Sequence, residues 1–122
     1  SLHDALPIFS PDEVVARIRQ DIDQNYPQPL KVSSYAKKYF FTQEYLTRLF
    51  RQHYEMTIQE YLLMVRMTRA KELLENPSIK IQEVAARVGY SDNNYFSKAF
   101  RNFFGITPTD CRNKCFVSRN TK

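Results

Sequence analysis

Tyr45/Tyr95, Arg48/Lys98, Phe50/Phe100, Arg51/Arg101 and Thr57/Thr107 each stand 50 positions apart in a chain of 122 residues. A pattern written twice constrains the fold more than composition does, because both copies must bury the same apolar positions and expose the same polar ones. Upstream of Tyr45 the spacing becomes 49, as in Val32/Ile81, Ala36/Ala85 and Thr42/Ser91, so the second copy holds one extra residue in its turn. Two copies are too few for a solenoid. The repeated unit must carry its own meaning.

Apolar residues recur every three or four positions and only 2 Gly occur, which predicts helices throughout. The length allows one domain or two small subdomains. The expected fold is all-α, about seven helices, with two helix-turn-helix subdomains joined by a long linker helix. The expected boundaries are a leader or linker remnant at 1–10, a first subdomain at 11–56, the linker helix at 57–76, a second subdomain at 77–116 and a flexible tail at 117–122.

Local signals support this division. Ser10 can cap a helix opened by Pro11, with Asp12 and Glu13 at its positive end and Val14, Val15, Ile18 and Ile22 as its apolar stripe. "YPQP" at 26–29 ends it. Two short helices are expected at 33–40 and 43–54, with Thr42 capping the second. Thr57 and Glu60 form a capping box for the linker helix, and Asn76–Pro77 stops it. Its apolar residues, Tyr61, Leu62, Val65, Met67, Ala70, Leu73 and Leu74, spread over more than one stripe, as in a helix serving a subdomain at each end. The pattern then returns as a helix at 81–88, a turn at Gly89–Tyr90–Ser91 and a helix at 92–104. Gly105 supplies a left-handed cap, and Thr107–Pro108–Thr109–Asp110 opens a last helix.

A small residue within the first short helix (Ala36, Ala85) lets two helices cross closely, and a turn led by Thr or Ser caps the second. This is the helix-turn-helix pattern, whose second helix enters a DNA major groove. The outward positions of the first copy are Gln43, Glu44, Thr47, Arg48 and Arg51, with Leu46, Leu49 and Phe50 inward. Those of the second are Asn93, Asn94, Ser97, Lys98 and Arg101, with Tyr95, Phe96, Ala99 and Phe100 inward. Arg pairs with the two acceptors of guanine, Asn or Gln with adenine, and Glu accepts from cytosine, while Lys and Arg neutralise phosphate. A helix over the 20 residues 57–76 would span about 30 Å, close to the ~34 Å between major grooves on one face of a duplex. One monomer is therefore expected to hold two reading heads in successive grooves.

Charge agrees with that expectation. The chain carries a formal +5, concentrated in the two similar segments. Residues 31–51 net +4 and residues 80–101 net +2, whereas residues 11–30 net −2. Net charge speaks to association and not to fold. An enzyme would need a nucleophile–base pair or clustered acids, and His3 and His53 stand far apart. A membrane-surface binder would need one continuous basic amphipathic helix. The remaining alternative is a helical protein-interaction module that binds no DNA. Cys111 and Cys115 stand four apart, suiting neighbouring thiols on one helix face, and no metal site or cofactor is expected. "SLHDALPIF" is too short and acidic for a signal peptide, so a cytosolic location is expected. Tyr45, Leu46, Phe50, Tyr95, Phe96, Phe100, Phe103 and Phe104 are read as core, Arg66 as structural, and Arg112, Lys114, Arg119 and Lys122 as mobile tail charges.

Residues 11–113 resemble the DNA-binding domain of the AraC/XylS family of bacterial transcription regulators. "IQEVAARVGYSDNNYFSKAFRNFFGITPTDCR" is similar to the family signature around its second helix-turn-helix, and "YLLMVRMTRAKELL", with Arg66, Ala70 and Leu73–Leu74, to its linker helix. The resemblance implies a sequence-specific binder of double-stranded promoter DNA, usually an activator contacting RNA polymerase. It further implies the output domain of a longer sensor or two-component response regulator, monomeric as this fragment. Three positions depart from the family pattern: Glu55 where Gly is common, Ile58 where Pro is common, and Cys111 in place of an aromatic. A left-handed Glu55 would cost about 1 kcal/mol relative to Gly.

Overall fold

The Ser10 hydroxyl accepts from the Glu13 amide at 3.2 Å, and Pro11 opens helix α1 (Pro11–Asn25). The computed structural model describes residues 9–120, with side chains through residue 114. The expected leader before residue 9, the last two residues of the expected tail, and the side chains of Cys115 and Arg119 lie outside the described residues. Six further helices follow: α2 (Val32–Tyr39), α3 (Gln43–Tyr54), α4 (Ile58–Leu74), α5 (Ile81–Arg87), α6 (Asn93–Phe104) and α7 (Pro108–Asn120). Among the described residues every regular element is a helix. The chain divides into two compact units, Ser1–Leu63 and Met64–Lys122, so the division falls inside α4.

In the first unit α3 packs against α1 and α2. Val14, Val15, Ile18 and Ile22 of α1 are buried with Val32, Tyr35 and Ala36 of α2, Leu46, Leu49 and Phe50 of α3, and Ile58 and Tyr61 of α4. Two phenols tie this core to polar rims of α1. Tyr35 donates to Asp21 at 2.6 Å, and Tyr61 donates to Asp23 at 2.6 Å while accepting from Arg19 Nε at 3.2 Å. Burial first, then the bond to Asp21, pushes the Tyr35 hydroxyl far above the ordinary phenol range. His53 Nε2 lies 2.9 Å from Asp12, tying the last turn of α3 to the first turn of α1.

The second unit repeats the design. α6 packs against α5 and α7. Met67, Ala70 and Leu74 of α4 are buried with Ile79, Val84, Ala85, Val88, Phe96, Phe100 and Cys111. The two halves of α4 thus serve different units, which is why its apolar residues follow no single stripe. The aromatic pair Phe50–Tyr54, with centroids 4.7 Å apart, recurs as Phe100–Phe104 at 4.8 Å. Burial of such rings is a main source of core stability.

Helix ends follow the expected caps with small shifts. Thr57 and Glu60 exchange backbone-to-side-chain bonds at 3.1 Å each, and Thr107 repeats its half of this motif toward the Asp110 amide. The linker helix occupies 17 residues rather than 20, about 25 Å, because its capping residues lie outside the helical ladder. The capping residue of α6 is Asp92 and not Ser91: its carboxylate accepts from the Asn94 amide at 2.8 Å and the Tyr95 amide at 3.3 Å. An aspartate in this position also meets the positive end of the helix. Ser91 is the extra residue of the second turn.

Arg112 corrects a second expectation. It is no mobile tail charge: its Nε donates to the Leu74 carbonyl at 2.9 Å, and one terminal nitrogen donates to Asn76 at 3.2 Å and Ile79 at 2.6 Å. These carbonyls belong to the end of α4 and the turn behind it, where helical partners are lacking. The fork of the guanidinium suits three acceptors in one small region. Its partners stand 33–38 residues upstream, where sequence inspection has no local signal. The residues of the expected tail at 117–120 continue α7.

Candidate nucleic-acid interface

Thr42 fixes the start of α3: its hydroxyl accepts from the Tyr45 amide at 3.1 Å. With Leu46, Leu49 and Phe50 buried, the 3.6-residue period turns the other face outward. Gln43, Glu44, Arg48 and Arg51 are exposed and Thr47 is half-buried. These five residues, with Gln52, line one open hollow. Glu44 sits in the first turn of α3, where helix amide groups favour an acid. The Arg48 guanidinium lies 5.5 Å over the Tyr45 ring, which limits its sweep. Arg51 reaches Glu60 at 3.8 Å across open solvent, a contact worth little in water and easily exchanged for another anion. The Thr57 backbone and hydroxyl bonds, more than Arg51, hold the Glu60 carboxyl below its usual range.

The second copy places its set the same way. Phe96 and Phe100 are buried, Asn93, Asn94, Lys98 and Arg101 are exposed, and Ser97 is half-buried like Thr47. Because Asp92 caps the helix, the exposed amides of Asn93 and Asn94 are not the capping groups. All ten expected positions therefore lie on the two second helices, five in each unit, at matched sites. Gln52 was absent from the expected set, although Gln52 and Asn102 are an exposed amide pair at the same spacing of 50.

Four aromatic residues depart from the expected core: Tyr45 and Phe104 are half-buried and two others are exposed. Tyr95 is 67% exposed and Phe103 is 40% exposed, so neither belongs to the core. Tyr45, the counterpart of Tyr95, is half-buried, with its ring 5.1 Å from Phe41. In the second unit Tyr90 fills the place of Phe41, and its ring stands 6.0 Å from Tyr95. Four residues lie between Tyr90 and Tyr95 where three lie between Phe41 and Tyr45. The extra residue loosens that ring pair and leaves Tyr95 outward. Arg66 supports the same region, its guanidinium 5.7 Å over Tyr90, in keeping with its structural reading.

On the first short helices, Lys37 and Lys38 of α2 are exposed, whereas Arg87 of α5 is paired with Glu83 at 2.9 Å. No helix among the described residues is long and apolar enough to cross a membrane.

Comparison with known proteins supports the arrangement. A family model described as "Helix-turn-helix domain" matches residues 35–114. The chain is 42% identical over 98 residues to the Msm operon regulatory protein of Streptococcus mutans, covering 80% of this chain and 35% of that protein. It spans about a third of the length of the curated relatives it matches. The C-terminal domain of AraT, a response regulator from Geobacillus stearothermophilus, superposes with a TM-score of 0.78 at 34% identity, covering 83% of this chain and 84% of that one. The DNA-binding domain of AdpA, a global transcriptional factor solved with a target DNA, shares the fold with a TM-score of 0.79 at 21% identity, covering 88% and 97%. By sequence and by fold, the chain belongs to the AraC-type helix-turn-helix family of transcription regulators.

Proposed function

We propose that this chain binds double-stranded promoter DNA sequence-specifically and regulates transcription, with α3 and α6 entering successive major grooves. The observation that carries this reading is the matched exposure of Arg48 with Lys98 and of Arg51 with Arg101, on helices whose opposite faces are buried. One basic row is ordinary helix surface. The same row on the same frame, twice, calls for the same kind of ligand at each copy.

The four basic residues contact phosphate or guanine, and Gln43, Glu44, Asn93 and Asn94 meet base edges. Thr47 and Ser97 add short hydroxyls that bond either to bases or to phosphate. AdpA, which shares the fold, was solved on DNA, and AraT is a response regulator. We assign the chain the output role of a longer sensor or two-component regulator in the bacterial cytoplasm. It acts by binding rather than catalysis, as an activator that contacts RNA polymerase.

Selection from random duplex DNA tests this reading. The expected product is a two-part site whose half-site centres lie about 10 bp apart. Failure to enrich any sequence over the starting pool would refute it.

A further inference from the structure

The exposed Tyr95 ring stands within the polar row of α6, beside Asn94 and one turn before Lys98. It occupies the first turn of that helix, the part of a recognition helix that approaches base edges most closely. Tyr90 lies alongside at 6.0 Å with an interplanar angle of 35°, and is itself held edge-on to the buried Phe96 at 5.6 Å. Arg66 stands over the Tyr90 ring at 5.7 Å. An exposed aromatic face in this setting has one major-groove feature that it can recognise by apolar contact: the thymine 5-methyl group.

Resting on the DNA-binding reading above, we propose that Tyr95 is a specificity-determining residue that seats a thymine methyl in the half-site of the second unit. The chemistry of its neighbours agrees. Asn93 and Asn94, just before it in the same turn, carry exposed amides suited to adenine. In the first unit the equivalent ring, Tyr45, is half-buried beneath Arg48 and cannot serve in this way.

Single replacement of each thymine in the selected duplex by deoxyuridine, which removes only the methyl, tests the assignment. The wild-type chain and Tyr95→Phe should bind about fourfold more weakly at one position of the second half-site, the loss expected for one methyl's burial. Tyr95→Ala should bind the thymine and uracil duplexes equally at that position. An unchanged thymine-to-uracil ratio in Tyr95→Ala would overturn the proposal, as would loss of that ratio in Tyr95→Phe. Absence of thymine from the second half-site would overturn it too. Such results with the selected duplex still bound leave the DNA-binding reading standing; no binding by the wild-type chain removes that reading itself.

Discussion

Glu55 and Gly105 close their helices with the same left-handed backbone, at φ 62° and 81°. Each donates its amide to the carbonyl four residues back, Glu55 to Arg51 at 2.8 Å and Gly105 to Arg101 at 2.7 Å. Phe40, at φ 61°, and Gly89, at φ 103°, share the left-handed backbone after the first short helix of each copy, although Phe40 donates its amide four residues back, to Ala36, and Gly89 three back, to Ala86. In both pairs the first copy holds a residue with a Cβ where the second holds glycine.

Glu55→Gly should therefore stabilise the first unit by about 1 kcal/mol, since only the side-chain residue is penalised in the left-handed region. Glu55→Ala, which removes the charge but keeps the Cβ, should give no such gain. Urea unfolding followed by circular dichroism measures both, and equal midpoints for the two variants would contradict the strain argument.

Arg112→Met should destabilise the second unit by about 2–3 kcal/mol, because three carbonyls lose a charged donor and the apolar stem is retained. Arg112→Lys should recover only part of this, lacking the fork. A wild-type unfolding midpoint in Arg112→Met would return this residue to the class of solvated surface charges.

Tyr35→Phe removes the 2.6 Å bond to Asp21 and should cost the first unit about 1 kcal/mol at neutral pH. The same residue predicts an alkaline dependence. Burial and Asp21 raise its folded-state value above the unfolded one, so its contribution is complete below about pH 10 and is lost as pH rises toward the folded value. Tyr61 and Tyr90 are also raised, chiefly by burial, so the variant should show a shallower alkaline decline than the wild type, not a flat one. Unfolding midpoints between neutral and strongly alkaline pH decide this, and parallel curves would refute it.

Arg48→Ala and Lys98→Ala should each weaken binding to the selected duplex by about 1–3 kcal/mol while leaving the circular dichroism spectrum unchanged. Where the lost contact is to phosphate, the slope of log affinity against log salt should fall by about 1. Gel-shift titrations over a range of salt concentrations provide both readouts. Unchanged affinity in both variants would remove these helices from the interface.

Much of this architecture was legible because its determinants are local. Caps such as Ser10, Thr42 and the Thr57–Glu60 box announce helix starts within four residues, and the stripe Val14–Val15–Ile18–Ile22 fixes the buried face of α1. The repeat then transfers each assignment from one copy to the other. Where the copies differ, the transfer breaks down. Tyr95 inherits an inward expectation from Tyr45, but the extra residue in the second turn opens its ring contact and leaves it outward. The cap moves from Ser91 to Asp92 at the same turn. Arg112 was illegible for another reason: its partners are backbone carbonyls, which carry no side-chain identity to read.

Hydroxyl-radical footprinting of the 122-residue chain on its selected duplex tests the central claim most directly. Two protected patches on one face, centred about 10 bp apart at a protein-to-duplex ratio of one, are the predicted result. One protected patch at that ratio, unchanged when Asn94 and Lys98 are replaced by Ala, would contradict it.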